Sequence, residues 1–180
     1  MGDRGIVLVG FRAAGKSTIG RALARLLHLP FADLDREIEI RAGKSVAQIF
    51  AEEGESGFRD RESDVLRELA SSGEAVRGVF ATGGGVVLRA ENHAYLNRLG
   101  LIVHLSAPIE VLTRRLRNDR SRPRLTDLPF EQEIARLLSE RRPLYERVAR
   151  ATVEVGTGSA LANAKRVRDV AVAHGFPVGQ

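Results

Sequence analysis

Cysteine is absent from this sequence of 180 residues, and aromatic residues make up only 5% of it. Without cysteine, the chain can form neither a disulfide nor a thiolate metal site, and few aromatic side chains are present to stack on nucleobases. No apolar run approaches the roughly 20 residues of a membrane span. The N-terminal residues have neither a signal-peptide nor a myristoylation pattern. We therefore expect a soluble cytoplasmic protein with no membrane partner.

Lysine is scarce as well, because only Lys16, Lys44 and Lys165 among the 28 basic residues are not arginine. The formal net charge of +5 is typical of proteins that bind nucleic acid or a phosphate-bearing small ligand. The low aromatic content argues against nucleic acid. The length fits a single domain over residues 1–180, and a hydrophobic fraction of 43% is enough for a core. No long apolar segment demands a partner chain, so we expect a monomer.

Short apolar runs alternate with helical patterns along the chain. Strands are predicted at residues 6–9, 31–33, 78–82, 101–105 and 152–155, and helices at residues 16–28, 45–53, 57–70, 90–99, 108–118, 131–150 and 160–174. This alternation predicts an α/β fold, a three-layer sandwich with a mostly parallel central sheet and helices on both faces. A polar segment broken by prolines, at about residues 119–129, predicts a mobile lid loop.

The most specific motif is Gly-Phe-Arg-Ala-Ala-Gly-Lys-Ser at residues 10–17, which matches the P-loop pattern G-x-x-x-x-G-K-[ST] in full. In such a loop, backbone N–H groups and the N-terminus of the next helix face the nucleotide phosphates. Lys16 is expected to reach the β- and γ-phosphates and Ser17 to ligate Mg²⁺. The sequence has no N-K-x-D motif of the kind that GTPases use to read their base, and it is too short for most motor ATPases. A small-molecule kinase remains.

Two carboxylates, Asp33 and Asp35, follow the second predicted strand. If this segment is extended, their side chains point to opposite sides, so that one faces the metal and the other an acceptor hydroxyl. The alternative is that either residue caps a following helix.

Two further motifs have an ordinary structural interpretation beside a functional one. Arg59 and Glu62 stand three residues apart in a predicted helix, which on its own favours a surface ion pair. Gly83, Gly84 and Gly85 follow a buried strand and indicate a place where a ligand approaches the backbone closely. A plain flexible turn is the alternative for this glycine run.

Arginines crowd the end of the fifth predicted helix and the lid, and two more follow in the sixth. They are Arg114, Arg115, Arg117, Arg120, Arg122, Arg124, Arg141 and Arg142. At least half of them are expected on solvated faces. A few, on a loop that closes over ATP, would neutralise charge on the transferring phosphoryl group, an effect worth about 10³–10⁵ in rate.

Taken in order, the motifs G-x4-G-K-S-T, D-x-D, F-R-x-x-E, G-G-G, R-P and R-x-P-L-Y resemble the shikimate kinase family over residues 7–155. The resemblance implies transfer of the ATP γ-phosphoryl group to the 3-hydroxyl of shikimate, a step toward the aromatic amino acids, with Mg²⁺ as cofactor. Shikimate kinases often have glycine where this chain has Ala13.

The resemblance also implies a role for each matching position. ATP would be bound by Ala13, Ala14, Gly15, Lys16, Ser17, Thr18, Arg115 and Arg122, with Arg115 packed against adenine and Arg122 on the lid. Mg²⁺ would be held by Ser17 and Asp33. Shikimate would be bound by Asp35, Arg59, Gly83, Gly84, Gly85 and Arg141, with Glu62 holding Arg59 in place. Lys16, Asp35 and Arg122 would be catalytic.

Three alternatives stay open at this point. The first is a kinase for another hydroxylated acid such as gluconate, for which the D-x-D, triple-glycine and second-arginine motifs would be coincidences. The second is a non-catalytic module that senses shikimate or nucleotide, against which Lys16, Ser17 and Asp35 argue. The third is nucleic acid binding through the arginine cluster, which would give an affinity that falls steeply with salt.

Overall fold

The structure is a computed structural model that describes residues 5–71, 77–117, 128–156 and 158–177. The strands are β1 (Gly5–Val9), β2 (Phe31–Asp33), β3 (Val79–Ala81), β4 (Gly100–Ser106) and β5 (Ala151–Glu154). The helices are α1 (Lys16–Leu27), α2 (Leu34–Ala42), α3 (Val46–Ser71), α4 (Ala90–Leu99), α5 (Ile109–Leu116), α6 (Phe130–Val148) and α7 (Ala160–Ala173), with a 3₁₀ turn at Val86–Leu88.

The described strands form one parallel sheet in the order β2-β3-β1-β4-β5. Strand β1 is central and wholly buried, as expected for a parallel sheet that helices cover on both faces. Helices α1 and α7 pack against each other on one face, whereas α4 and α6 pack on β4 from the other. The predicted α/β fold with a parallel sheet is confirmed.

The parallel arrangement brings the segments that follow the strands to one edge of the sheet. Residues 10–15 follow β1, α2 follows β2, and residues 82–85 follow β3. The first and third of these segments are neighbours, because β1 pairs with β3. Thr82 fixes them together: its backbone N–H and its hydroxyl both donate to the carbonyl of Leu8, at 3.2 and 3.0 Å. The motifs that carry chemistry therefore meet at this edge.

Two helices differ from the prediction. Helix α2 begins directly after β2, where no helix was predicted, because the Asp33 carboxylate caps it by accepting a hydrogen bond from the backbone N–H of Asp35. Helix α3 runs through both helices predicted at residues 45–53 and 57–70. Its backbone leaves helical geometry at Gly54, where φ is 70°, so the predicted break between the two helices is present and takes the form of a kink.

Most of the predicted lid, at residues 119–127, lies outside the described residues; Leu128 and Pro129 lead directly into α6. Within the described ranges, none of the helices has the length and apolar character needed to cross a membrane.

Candidate active site

The phosphate loop between β1 and α1 turns the chain with three residues at positive φ. Gly10 and Gly15 have φ values of 146° and 98°, and Ala13 has a φ of 60°. A left-handed conformation costs a residue with a Cβ roughly 1–2 kcal/mol, which glycine avoids. The loop therefore keeps its turn at Ala13 in spite of this cost, which indicates that its shape is imposed by the rest of the site.

Lys16 begins α1 and folds over the loop. Its Nζ donates to the carbonyls of Gly10 and Phe11, at 2.8 and 2.9 Å, and the residue is 8% exposed. Ser17 and Thr18 follow in the first turn of α1, at the positive end of the helix dipole. An ammonium group, two hydroxyls and a helix N-terminus thus converge here, which is the chemistry that binds phosphates.

A cleft of about 490 Å³ opens over this loop. It is lined by Arg12, Ala13, Ala14, Gly15, Lys16, Ser17, Thr18, Ile19, Asp35, Thr82, Gly84, Arg115, Val155, Gly156, Gly158, Ala160 and Asn163. Arg115 reaches the loop from α5, because its guanidinium donates to the carbonyl of Ala13 at 2.9 Å. Residues 13–18, which are predicted to bind the ATP phosphates, therefore share one cleft with the arginine predicted to contact adenine.

Asn163 is a member of this cleft that the sequence analysis missed. It lies in the first turns of α7 and is 5% exposed, although its side chain is polar. The available signal was an amide on the otherwise apolar, buried face of the last predicted helix, beside Ala164 and Val167.

Asp33 and Asp35 do not lie on opposite sides of an extended segment. Asp33 ends β2 and caps α2, while Asp35 lies in the first turn of that helix and lines the cleft. The capping interpretation is therefore correct for Asp33, and the extended interpretation is wrong. Both carboxylates stay at the edge of the sheet near the phosphate loop, as the D-x-D motif predicted.

Arg59 and Glu62 form a buried ion pair, not the surface pair that their spacing alone favoured. Glu62 is fully buried and Arg59 is 5% exposed, and the guanidinium donates to the carboxylate at 2.7 Å. Arg59 also donates to the exposed Glu55, at 3.0 Å. Burial alone would lower the pKa of Arg59, but the two carboxylates outweigh burial and hold that pKa above its usual range. Glu62 thus fixes both the charge and the position of Arg59.

The glycine run packs tightly against charged side chains of the protein itself. A Cβ added at Gly83 would lie 2.2 Å from Oε1 of Glu62, and one added at Gly85 would lie 2.2 Å from the Arg59 guanidinium. Side chains at these two positions would displace the ion pair. The absence of a side chain at these two positions therefore leaves the room that the ion pair occupies. Close approach of a ligand to this backbone stays a prediction.

Arg141 also contacts this glycine run. It comes from α6, is 4% exposed, and its guanidinium lies 3.4 Å from the carbonyl oxygen of Gly84 and 6.0 Å from the ring centroid of Phe11. Arg59 packs against Gly85. Two buried arginines that are 82 positions apart in the sequence thus meet at the Gly84–Gly85 peptide.

His104 lies behind this site, and the sequence analysis assigned it no role. Its ring stacks on Tyr145 with a centroid separation of 5.1 Å, and its Nδ1 lies 3.5 Å from the hydroxyl of Thr152. Burial, reinforced by the positive charges of Arg142 and Lys16, lowers the pKa of His104 from 6.5 to about 4. The available signal was one polar residue within the apolar run of the fourth predicted strand.

Only part of the arginine cluster lies within the described residues. Arg114, Arg115 and Arg117 are exposed, as expected for most of the cluster. Arg120, Arg122 and Arg124 lie outside the described residues, so the predicted role of Arg122 is still a prediction.

Known proteins resemble this chain in both sequence and fold. A sequence profile described as "Shikimate kinase" matches residues 12–171. This chain belongs to the shikimate kinase family. A shikimate kinase of Aromatoleum aromaticum is 47% identical over 154 residues, which cover 86% of each chain. One of Chromohalobacter salexigens is 50% identical over 144 residues, or 80% of this chain and 78% of that one.

A solved structure gives the same result. The shikimate kinase from Acinetobacter baumannii in complex with shikimate is 40% identical, with a TM-score of 0.89 over 97% of this chain and 96% of that chain. The resemblance that the motifs carried is therefore confirmed. The range that matches the shikimate kinase family contains Lys16, Asp35, Arg59 and Arg141; the individual roles of these residues remain predictions.

The lowered pKa of His104 predicts a loss of stability in acid. The unfolded chain takes up a proton near pH 6.5, whereas the folded protein resists it until pH is about 4. The contribution of neutral His104 to the free energy of unfolding is therefore complete above pH 6.5. It is lost as the pH falls toward 4, by up to about 3 kcal/mol. His104→Phe keeps a ring on Tyr145 and removes this proton. In urea unfolding followed by circular dichroism, the stability of the wild type should fall more steeply over this range than that of the variant; parallel curves would contradict the assignment.

Proposed function

We propose that this member of the shikimate kinase family transfers the γ-phosphoryl group of ATP to the 3-hydroxyl of shikimate. One observation carries the proposal: the buried guanidinium groups of Arg59 and Arg141 meet at one peptide beside the phosphate-loop cleft. Guanidinium forks bind carboxylates in two parallel hydrogen bonds, and shikimate carries one carboxylate. The similar Acinetobacter baumannii protein was solved in complex with shikimate, which supports the same acceptor here.

On the nucleotide side, the backbone of residues 13–18 holds the phosphates and Lys16 neutralises their charge. Arg115 contacts the adenine from above the loop, to which its guanidinium is already hydrogen-bonded. Arg122, which lies outside the described residues, would neutralise charge on the transferring phosphoryl group. These roles suit a reaction in which positioning and electrostatics supply most of the rate enhancement.

On the acceptor side, Asp35 orients the attacking hydroxyl and accepts its proton. It is the cleft-lining carboxylate of the D-x-D motif, and it packs within reach of Gly83, next to the Arg59–Glu62 pair. Arg59 and Arg141 hold the acceptor by its carboxylate, while the backbone of Gly83, Gly84 and Gly85 forms the floor of the acceptor site. The substrates are thus held by opposite walls of one site, and we propose that the protein acts on them as a monomer.

The donor set fits Mg²⁺, which prefers oxygen ligands and keeps several waters. The hydroxyl of Ser17 lies in the cleft, and the Asp33 carboxylate ends β2 beside Asp35. These two residues would hold the ion, and the bound ion would reduce the negative charge of the phosphates.

The proposed function is tested by ADP release from ATP and Mg²⁺ with no acceptor, shikimate, gluconate or quinate. Stimulation by shikimate alone is expected, because the two arginines would bind its carboxylate while Asp35 binds its 3-hydroxyl. Stimulation by gluconate instead would move the assignment to another acid kinase. Binding of ATP without stimulation by any of the acceptors would contradict the kinase assignment and favour a sensing module.

Asp35→Asn should lower the rate of transfer by about 10²–10⁴-fold, the usual value of a positioned acid or base. Nucleotide affinity, measured by isothermal titration, should stay nearly unchanged because the phosphate loop is intact. Asp64→Asn is the matched control, since Asp64 is exposed and pairs only with Arg67 in the described structure. Full activity of Asp35→Asn would remove Asp35 from the mechanism.

A further inference from the structure

Tyr145 is a buried side chain at the acceptor site that has no role in the mechanism above. It lies on α6, has no exposed surface, and its hydroxyl donates a hydrogen bond to the carbonyl of Gly84. Burial raises the pKa of this hydroxyl above its usual range, so it remains a proton donor. A phenol fits here because its ring fills the core while its hydroxyl reaches one polar partner.

The ring of Tyr145 is held from a second element of the fold. His104 on β4 stacks against it at a centroid separation of 5.1 Å and an interplanar angle of 26°. The hydroxyl therefore has a position set both by the helix that carries it and by the central sheet. The carbonyl of Gly84, which this hydroxyl binds, is therefore also held in position.

Gly84 O has two donors in reach, and they are unequal. The guanidinium of Arg141 lies 3.4 Å away, at the outer limit of a hydrogen bond, so the Tyr145 hydroxyl is the principal donor. If the Tyr145 hydroxyl were removed, only Arg141 of these two donors would remain for the buried carbonyl of Gly84. A buried carbonyl without a hydrogen bond is costly, so the guanidinium would be drawn toward it.

The Gly84–Gly85 peptide also contacts the second arginine, Arg59. Gly85 follows Gly84 directly, and its Cα lies against the guanidinium of Arg59, where even a Cβ would be 2.2 Å from the nearest nitrogen. The described chain contains no cis peptide bond, so the Gly84–Gly85 peptide is a rigid trans spacer between the two arginines. A rotation of this peptide would change their separation.

We propose that Tyr145 is a positioning residue for the acceptor carboxylate: by satisfying the Gly84 carbonyl, it leaves the Arg141 guanidinium available to a bound carboxylate and fixes its spacing from Arg59. This proposal rests on the proposed function for the identity of the acceptor. Tyr145 itself touches neither substrate in this account; it acts through Gly84 and Arg141.

Tyr145→Phe keeps the ring and its stack on His104 and removes only the hydroxyl. We expect KM for shikimate to rise about tenfold, the effect of losing one well-placed hydrogen bond, while kcat and KM for ATP change less than about twofold, since the phosphate loop is unaltered. Tyr95→Phe is the control: Tyr95 is the other tyrosine of the chain and lies on α4, away from the cleft. It should leave all three constants unchanged.

An unchanged KM for shikimate in Tyr145→Phe would overturn the proposal. A fall in kcat together with a rise in both KM values would also overturn it, since that pattern indicates a general structural defect.

A second readout needs no substrate and so separates this proposal from the proposed function. In ¹⁵N NMR of arginine side chains, the guanidinium signal of Arg141, assigned through Arg141→Lys, should shift in Tyr145→Phe and not in Tyr95→Phe. An unshifted signal would overturn the proposal even if the wild type is active on shikimate.

Discussion

The buried ion pair between Arg59 and Glu62 is the constraint on which the acceptor side of this site depends. Removing two charges from water costs several kcal/mol per ion, and the pair offsets this only with close geometry. The 2.7 Å contact supplies that geometry, and Gly83 and Gly85 supply the room, since a Cβ at either position would overlap one partner. Such a pair is weak evidence for stability, and its value here is that it holds a guanidinium at a fixed place in the site.

The remainder of the site is assembled around this pair by the parallel sheet. Strand β3 delivers the glycine run next to the phosphate loop, and Thr82 ties the two together through the carbonyl of Leu8. Helix α6 brings Arg141 to the carbonyl of Gly84 in the same run. The guanidinium groups of Arg59 and Arg141 therefore lie beside the phosphate loop, and in the proposed function they would hold one anionic substrate next to the other, although the two would repel each other in water.

The sequence predicted what depends on neighbours along the chain and missed what depends on distant contacts. The phosphate loop, with Lys16 at the start of a helix, is a local pattern and lies where it was predicted. The cap at Asp33 is also local, and the preference of aspartate for helix N-termini made it one of the two interpretations that the sequence left open for the D-x-D motif. The burial of Arg59 depends on Gly85, 26 positions later, and no spacing within α3 reveals it. The stack of His104 on Tyr145 joins β4 to α6 and is likewise invisible in a local pattern.

The most direct test of this account is isothermal titration of shikimate into Glu62→Gln, with Glu55→Gln as the control. Both carboxylates bind Arg59, but Glu62 is fully buried whereas the side chain of Glu55 is 42% exposed. The account predicts that Glu62→Gln weakens shikimate binding by more than about tenfold and leaves ATP binding unchanged, because a buried guanidinium without its charged partner loses its place. Glu55→Gln should change the affinity for shikimate less than Glu62→Gln does, since the Glu55 side chain is 42% exposed and water can replace its carboxylate. A folded Glu62→Gln protein that binds shikimate as tightly as the wild type would contradict the account.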